Sequence, residues 1–132
     1  MQTPKKEVII PKGGAKPVAP YSPGIRVGQF VFTAGQIALD PETGQLVEGG
    51  VGAETRRALT NLRAILEAAG SDLDHTVKVT VFLKDMDDFG EVNEVYGTFF
   101  KEDPPARSAV QSPKLPLGAQ VMIEAVALVK NT

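Results

Sequence analysis

The sequence predicts a single α+β domain in which two helices cover one face of a mixed β-sheet. Two stretches repeat their apolar residues with the 3.6-residue period of a helix, and four others are rich in β-forming residues. Their order is strands, helix, strand, helix, two strands, which is typical of one sheet with helices packed on it. The length of 132 residues fits one domain, so we assign residues 1–132 to a single unit.

The first part of the chain contains irregular segments and β-strands. Residues 11–24 hold four prolines and three glycines, so we expect an irregular segment there. A strand is predicted over residues 27–37, around the β-prone run Phe30-Val31-Phe32-Thr33. Asp40-Pro41-Glu42-Thr43-Gly44 is typical of a turn, and residues 45–47 are expected to return as a short strand.

Two helices follow. The first is predicted over residues 51–69, with Gly70 at the position that ends it. The second is predicted to begin at Asp88, with Glu91 three residues later as its capping partner, and to end before Pro104-Pro105. The apolar stripe of the first helix is Ala58, Leu59, Leu62, Ile65, Leu66 and Ala69, and that of the second is Phe89, Val92, Val95, Tyr96, Phe99 and Phe100.

The remaining strands indicate that the sheet has a second apolar face. Strands are predicted over residues 75–84, 106–111 and 119–129, and both alternating sets of the last strand are apolar. Two helices can cover only one face, so the other needs a cover that one chain does not supply. We expect that cover to be further copies of the chain in a closed symmetric oligomer. The two sets are Val121, Ile123, Ala125, Ala127 and Val129 on one side and Met122, Val126 and Leu128 on the other.

Composition excludes several classes of function. The 14 Lys and Arg against 16 Asp and Glu give a net charge of −2, so we expect neither nucleic acid nor a membrane surface as a partner. There is no cysteine and only one histidine, which excludes disulfides, thiolate chemistry and a histidine metal cluster. No glycine-rich phosphate loop of the known kinds is present. The only early apolar run is Val8-Ile9-Ile10, too short for a signal peptide, so we expect a cytoplasmic protein.

Arg107 and Glu124 are the charged residues that most need an explanation. Arg107 begins a strand among small and apolar neighbours, and its guanidinium has the planar geometry that binds a carboxylate with two hydrogen bonds. The alternative is a structural ion pair, with Glu124 as a candidate partner. Glu124 lies inside an apolar strand, where a carboxylate must be paired, hydrogen-bonded or part of a cleft.

Tyr21 and Gly35 are candidates for the lining of a cleft. Tyr21 lies in the irregular Pro20-Tyr21-Ser22-Pro23-Gly24, and its side chain either lines a ligand site or packs the loop onto the body. Gly35 follows a strand and permits a close backbone approach, either by a ligand or at a bulge.

An ordered set of short motifs runs through nearly the whole chain. The chain resembles the RidA family in its Pro-Tyr-Ser, Ala-Gly-Gln-Ile and Pro-Ala-Arg-Ser segments and in its Val-Lys-Val-Thr-Val-Phe-Leu strand. The chain shares three further segments with the family: Ile-Leu-Glu-Ala-Ala-Gly, Asp88-Phe89 with Val92-Asn93, and the final Ile-Glu-Ala-Val-Ala. Each segment alone is short, and their common order makes the resemblance specific.

The resemblance implies a chorismate-mutase-like fold that assembles as a homotrimer, with the sheets in a central barrel and ligand clefts between subunits. It implies hydrolysis of 2-iminopropanoate and 2-iminobutanoate to 2-oxo acids and ammonia, without a cofactor. Arg107 would bind the substrate carboxylate and Tyr21 would close the pocket. The backbone at Gly35 and Ala109 would line the reacting centre, and Phe89 and Asn93 would lie near it.

One departure from the family pattern concerns the last strand. Active family members usually carry Glu-x-Glu there, whereas this chain has Met122 and then Glu124, which leaves Glu124 as the candidate base. Met122 favours the alternative of a trimer that binds small carboxylates without turnover. A ribonuclease or translation-inhibitor activity is a third class, and the net charge, the single His75 and the lack of a basic aromatic stripe argue against it.

Overall fold

The structure is a computed structural model, which describes residues 3–14, 17 and 19–130. Its strands and helices are β1 (Glu7–Ile9), β2 (Gly24–Val27), β3 (Phe30–Thr33), α1 (Gly50–Ala68), β4 (Thr76–Leu83), α2 (Phe89–Phe99), β5 (Ala106–Gln111) and β6 (Val121–Leu128). The strands form one sheet in the order β1-β2-β3-β6-β4-β5. Only β4 and β5 are parallel, with α2 as the crossover between them. The predicted α+β fold, with one mixed sheet and two helices, is confirmed.

Helix α1 packs its predicted apolar stripe into the core and ends where the sequence predicted. Ala58, Leu59, Leu62 and Leu66 are fully buried. Gly70 has φ +82°, and the Ser71 N–H donates to the Leu66 carbonyl at 2.8 Å. This is the Schellman arrangement, in which a glycine in the left-handed region satisfies the last carbonyls of a helix.

The two faces of the sheet differ as the alternation predicted. On the helix-covered face, Val121, Ile123, Ala125 and Ala127 of β6 are 0–4% exposed. The opposite face, here called the open face, has no cover among the described residues and carries apolar side chains from several strands. Residues opposite each other in register share a face, which assigns Ile25, Phe32, Val126, Met122, Phe82 and Val110 to the open face.

The strand predicted over residues 27–37 is wrong in its bounds. The chain instead forms a hairpin in which Gly28, at φ +57°, and Gln29 connect β2 to β3. A two-residue loop with glycine first matches the right-handed twist of the strands. Strand β1 lies within a stretch to which the sequence assigned no strand, and it pairs with β2 at the sheet edge. Residues 45–47 do not form a strand, because only Leu46 makes an isolated bridge, to Leu39.

Two finer predictions are also wrong. Val77 does not join the buried face of β4, because the register shifts between Thr76 and Lys78 and leaves Val77 39% exposed. Asp88 makes no side-chain cap on α2, and Glu91 instead accepts a hydrogen bond from the Gly52 N–H at 3.2 Å. Glu91 therefore satisfies a free amide at the start of α1 and joins the two helices.

No helix in the described part of the chain has both the length and the hydrophobicity that a membrane crossing requires.

Candidate functional site

Arg107 lies on β5 and points toward α2. It is in register with Val79, whose side chain is fully buried on the helix-covered face. The Arg107 Nη1 donates to the Asn93 Oδ1 at 2.7 Å, a short distance typical of a charge-assisted hydrogen bond. Its Cζ lies 5.3 Å from the ring centre of Phe89 and 4.7 Å from that of Tyr96. Helix α2 thus holds the guanidinium by one amide oxygen and two aromatic rings.

The charge of Arg107 is not neutralised within the described residues. The ion pairs found there join Asp72 to His75 and to Lys130, and none involves Arg107. The side chain is half-buried, and one hydrogen bond leaves most of its five N–H donors available. A partly desolvated guanidinium without a carboxylate is suited to bind an external anion.

Ala109 lies two residues further along β5, on the same face of the sheet as Arg107. It is in register with Val81 and is half-buried. Strand β5 is the outermost strand of the sheet, so the backbone groups along its outer edge have no neighbouring strand among the described residues. Arg107, Ala109, Phe89 and Asn93 are therefore brought together by β5 and α2, as a candidate site would require.

Glu124 does not lie with this cluster. It is in register with Thr80, next to residues of the open face, whereas Arg107 is on the helix-covered face. Strand β4 separates their strands, so the two backbones are about 10 Å apart. The predicted alternative of an ion pair between Arg107 and Glu124 within one chain is therefore wrong.

Tyr21 and Gly35 also lie far from Arg107 within one chain. Tyr21 is 55% exposed and precedes β2, which is four strand spacings, or roughly 19 Å, from β5. Gly35 follows β3, and a Cβ built on it would lie 2.7 Å from the Met122 Sδ. One chain therefore brings together four of the seven predicted site residues and holds the other three elsewhere.

Sequence reasoning missed the part that Tyr96 plays. Its ring is the aromatic group nearest to the Arg107 guanidinium among the described residues, yet its position in the apolar stripe of α2 assigned it to the core. Burial raises the pKa of the Tyr96 hydroxyl, and the nearby Arg107 charge offsets this only in part. The spacing of Phe89, Asn93 and Tyr96 could have indicated the arrangement, because residues three and four apart share a helix face.

The described residues contain no metal-binding cluster, and the single histidine is engaged with Asp72. No group of three or more His, Asp or Glu side chains there could hold a metal ion. The Nδ1 of the single histidine, His75, lies 2.6 Å from the Asp72 Oδ1, just before β4 begins. The contacts around Arg107 give the candidate site a guanidinium, two aromatic rings and an amide oxygen.

Comparison with known proteins identifies the family. The Endoribonuclease L-PSP family matches residues 13–129. The RutC family protein PH0854 of Pyrococcus horikoshii is 51% identical over 92% of this chain and 97% of its own. The mouse 2-iminobutanoate/2-iminopropanoate deaminase is 47% identical over 93% of this chain and 91% of its own.

A solved structure agrees with this sequence similarity. Escherichia coli TdcF with bound serine is 38% identical, covers 94% of this chain and 99% of its own, and superposes with a TM-score of 0.88. Sequence and fold thus agree over almost the whole chain. The chain belongs to the Endoribonuclease L-PSP family, the RidA family that its motifs resemble.

Proposed function

We propose that the protein hydrolyses reactive 2-imino acids to 2-oxo acids and ammonia, in an assembly of three copies of the chain. The observation that carries this proposal is the Arg107 guanidinium, which is half-buried, held by Asn93 and without a carboxylate partner among the described residues. Such a group binds the carboxylate that every 2-imino acid carries.

The reaction requires little more than holding the substrate and a water molecule. The imine carbon is electrophilic, and more so when its nitrogen is protonated. Water adds to that carbon and gives one proton to the nitrogen, which forms a carbinolamine. The second proton then leaves the hydroxyl for the nitrogen as the carbon–nitrogen bond breaks, which gives the 2-oxo acid and ammonia. With the carboxylate fixed on Arg107, the carbon faces one direction and the water can be placed there. Glu124 is the candidate base that accepts the proton.

The proposed site needs a second copy of the chain. Tyr21, Gly35 and Glu124 lie at least two strand spacings from Arg107 within one chain, so they can line its pocket only from a neighbouring copy. The open face offers a surface on which copies can assemble, because Phe30, Phe32 and other apolar side chains there remain partly exposed. Their exposed fractions are 45% for Phe30 and 44% for Phe32 and Val110. Arg107 lies on the other face of the edge strand β5, so the shared pocket would form where that edge meets the neighbouring copy.

Two relatives support this choice of substrate class. The mouse relative bears the name 2-iminobutanoate/2-iminopropanoate deaminase, and the TdcF structure contains serine, whose carboxylate and adjacent nitrogen are also features of a 2-imino acid. The similarity extends over more than nine-tenths of this chain in both cases.

The test is to generate the imine with a threonine dehydratase and follow its decay, comparing the wild type with Arg107→Ala. We expect the variant to lose the acceleration because it cannot hold the carboxylate. Arg63→Ala is a matched control, since Arg63 also stacks on an aromatic ring, at 5.6 Å from the centre of Phe99, but lies on α1. Equal acceleration by the wild type and Arg107→Ala, or equal losses in both variants, would refute the proposal.

Met122 favours one alternative, a trimer that binds small carboxylates without turnover. Its thioether lies against Gly35, and the family resemblance places the first glutamate of the Glu-x-Glu pattern at this position. This alternative predicts that the protein binds 2-oxobutanoate through Arg107 but does not accelerate imine decay. Both results together would decide for it.

A further inference from the structure

One stripe of α2 surrounds the Arg107 side chain. Phe89, Asn93 and Tyr96 are spaced four and three residues apart, so they lie on one face of the helix. The Arg107 Cζ is 4.7 Å from the Tyr96 ring centre and 5.3 Å from that of Phe89, and Asn93 accepts the hydrogen bond from Nη1. Tyr96 makes the closer of the two aromatic contacts, although the sequence pattern assigned it only to the core.

The ring of Tyr96, and not its hydroxyl, is the group that contacts the Arg107 guanidinium. The residue is 6% exposed, and its hydroxyl is buried without a hydrogen-bond partner among the described residues. Phe100 packs against the ring at 4.7 Å between centres. A hydroxyl without a partner contributes no stabilising hydrogen bond, whereas a ring face beneath a partly desolvated cation attracts it.

We propose that Tyr96 is a positioning residue for carboxylate recognition, because its ring face and the Asn93 oxygen hold the guanidinium ready for the ligand. The proposal rests on the function proposed above for Arg107. An arginine side chain has many rotamers, and a ligand that must order it loses affinity. With Nη1 directed at Asn93 and the cation held against the Tyr96 ring, the arginine is ordered before the ligand arrives.

The test compares three variants for substrate affinity. Tyr96→Phe keeps the ring and removes only the unpartnered hydroxyl, so we expect KM and the Kd for 2-oxobutanoate to stay within about twofold of the wild type. Tyr96→Leu removes the ring, and we expect both constants to rise about five- to tenfold while kcat changes less than about twofold. Phe100→Leu is the matched control, since Phe100 is similarly buried and stacks on Tyr96, whereas the described rings beneath Arg107 are those of Phe89 and Tyr96. It should lower Tm without changing KM.

A second measurement needs no ligand. The Nε–H resonance of Arg107, assigned by its absence in Arg107→Ala, should be shifted upfield in the wild type by the ring current of Tyr96. We expect the shift to persist in Tyr96→Phe and to decrease in Tyr96→Leu, where only the more distant Phe89 ring remains at 5.3 Å. A resonance that keeps its position in Tyr96→Leu would refute the positioning role, whatever the affinity result.

The outcomes separate this proposal from the proposed function. If the wild type binds no 2-oxo acid and accelerates no imine decay, the function assigned to Arg107 is refuted. If the wild type is active and Tyr96→Leu keeps its affinity, or Phe100→Leu loses as much affinity as Tyr96→Leu, the role of Tyr96 alone is refuted.

Discussion

Asn93→Asp should make the protein more stable and at the same time weaken its binding of carboxylates. The Asn93 Oδ1 accepts a hydrogen bond from Arg107 at 2.7 Å, so a carboxylate in its place would form an ion pair with the guanidinium. Coulomb's law gives about 4 kcal/mol for such a pair at an effective dielectric of about 20. Because Arg107 is half-exposed, solvent screening reduces the expected gain to about 1 kcal/mol.

The same substitution should compete with the ligand. Hydrogen bonds to a charged group contribute about 1.5–3 kcal/mol, so engaging the Arg107 donors with the introduced carboxylate would weaken binding about 10- to 100-fold. Asn93→Ala is the control, because it removes the amide without adding charge. We expect it to lower both stability and affinity, by about 1 kcal/mol and about fivefold.

Denaturant unfolding at pH 7 and calorimetric titration with 2-oxobutanoate measure the two effects in the same samples. The signature is their opposite direction in Asn93→Asp. Wild-type affinity in that variant would show that the Arg107 guanidinium is not the anion site, and a lower midpoint of unfolding than in Asn93→Ala would show that the contact with Arg107 is not formed in solution.

Three further predictions address the open face, the packing at Gly35 and the surface pair at Asp72. Phe32 is 44% exposed on the open face, so Phe32→Glu should convert the assembly to monomers, as measured by light scattering after gel filtration. Phe32→Leu should leave the mass of the assembly unchanged, and a Phe32→Glu variant that still assembles would contradict the proposed interface. Gly35→Ala should lower the free energy of unfolding by about 1 kcal/mol, because its Cβ would lie 2.7 Å from the Met122 Sδ and the flexible methionine must shift. The loss should vanish in a Met122→Ala background, and equal losses in both backgrounds would exclude this clash. Burial by itself would raise the pKa of Asp72, but the hydrogen bonds from His75 and the charges of His75 and Lys130 outweigh it and hold that pKa below its usual 3.8. The charged form therefore stabilises the fold above about pH 4 and loses this effect as the pH falls through the lowered value. Asp72→Asn should lower the stability by about 0.5–1 kcal/mol at pH 7 and by less in acid, and a difference that stayed constant down to about pH 2 would contradict this assignment.

The elements with strong periodicity could be predicted from the sequence, and those fixed by tertiary contacts could not. Helix α1 and its Gly70 end follow from local rules, because the apolar stripe and the left-handed glycine suffice to define them. The hairpin at Gly28 was missed because the proline- and glycine-rich segment before it was predicted to be irregular and the strand was begun only at Val27. The cap at Glu91 was assigned to the wrong helix, because Gly52 is 39 residues away in the chain.

The candidate site divides in the same way. Arg107 could be recognised because a charged residue among small and apolar neighbours needs a partner, and motif order supplied Phe89 and Asn93. Tyr96 could not be distinguished from core residues, because its ring is both part of the core cluster and a surface for the guanidinium. The separation of Glu124 from Arg107 depends on the strand order, in which β4 lies between β5 and β6, and no local pattern encodes that order.

The central claim is that Arg107 binds the carboxylate of a small 2-oxo or 2-imino acid in a pocket that another copy of the chain completes. A crystal structure of the protein soaked with 2-oxobutanoate tests it most directly. We predict a trimer in which both carboxylate oxygens accept hydrogen bonds from Arg107, with Tyr21 and Glu124 of a neighbouring copy facing the ligand. A ligand bound elsewhere, or a monomer that leaves Arg107 facing only its own α2, would contradict the claim.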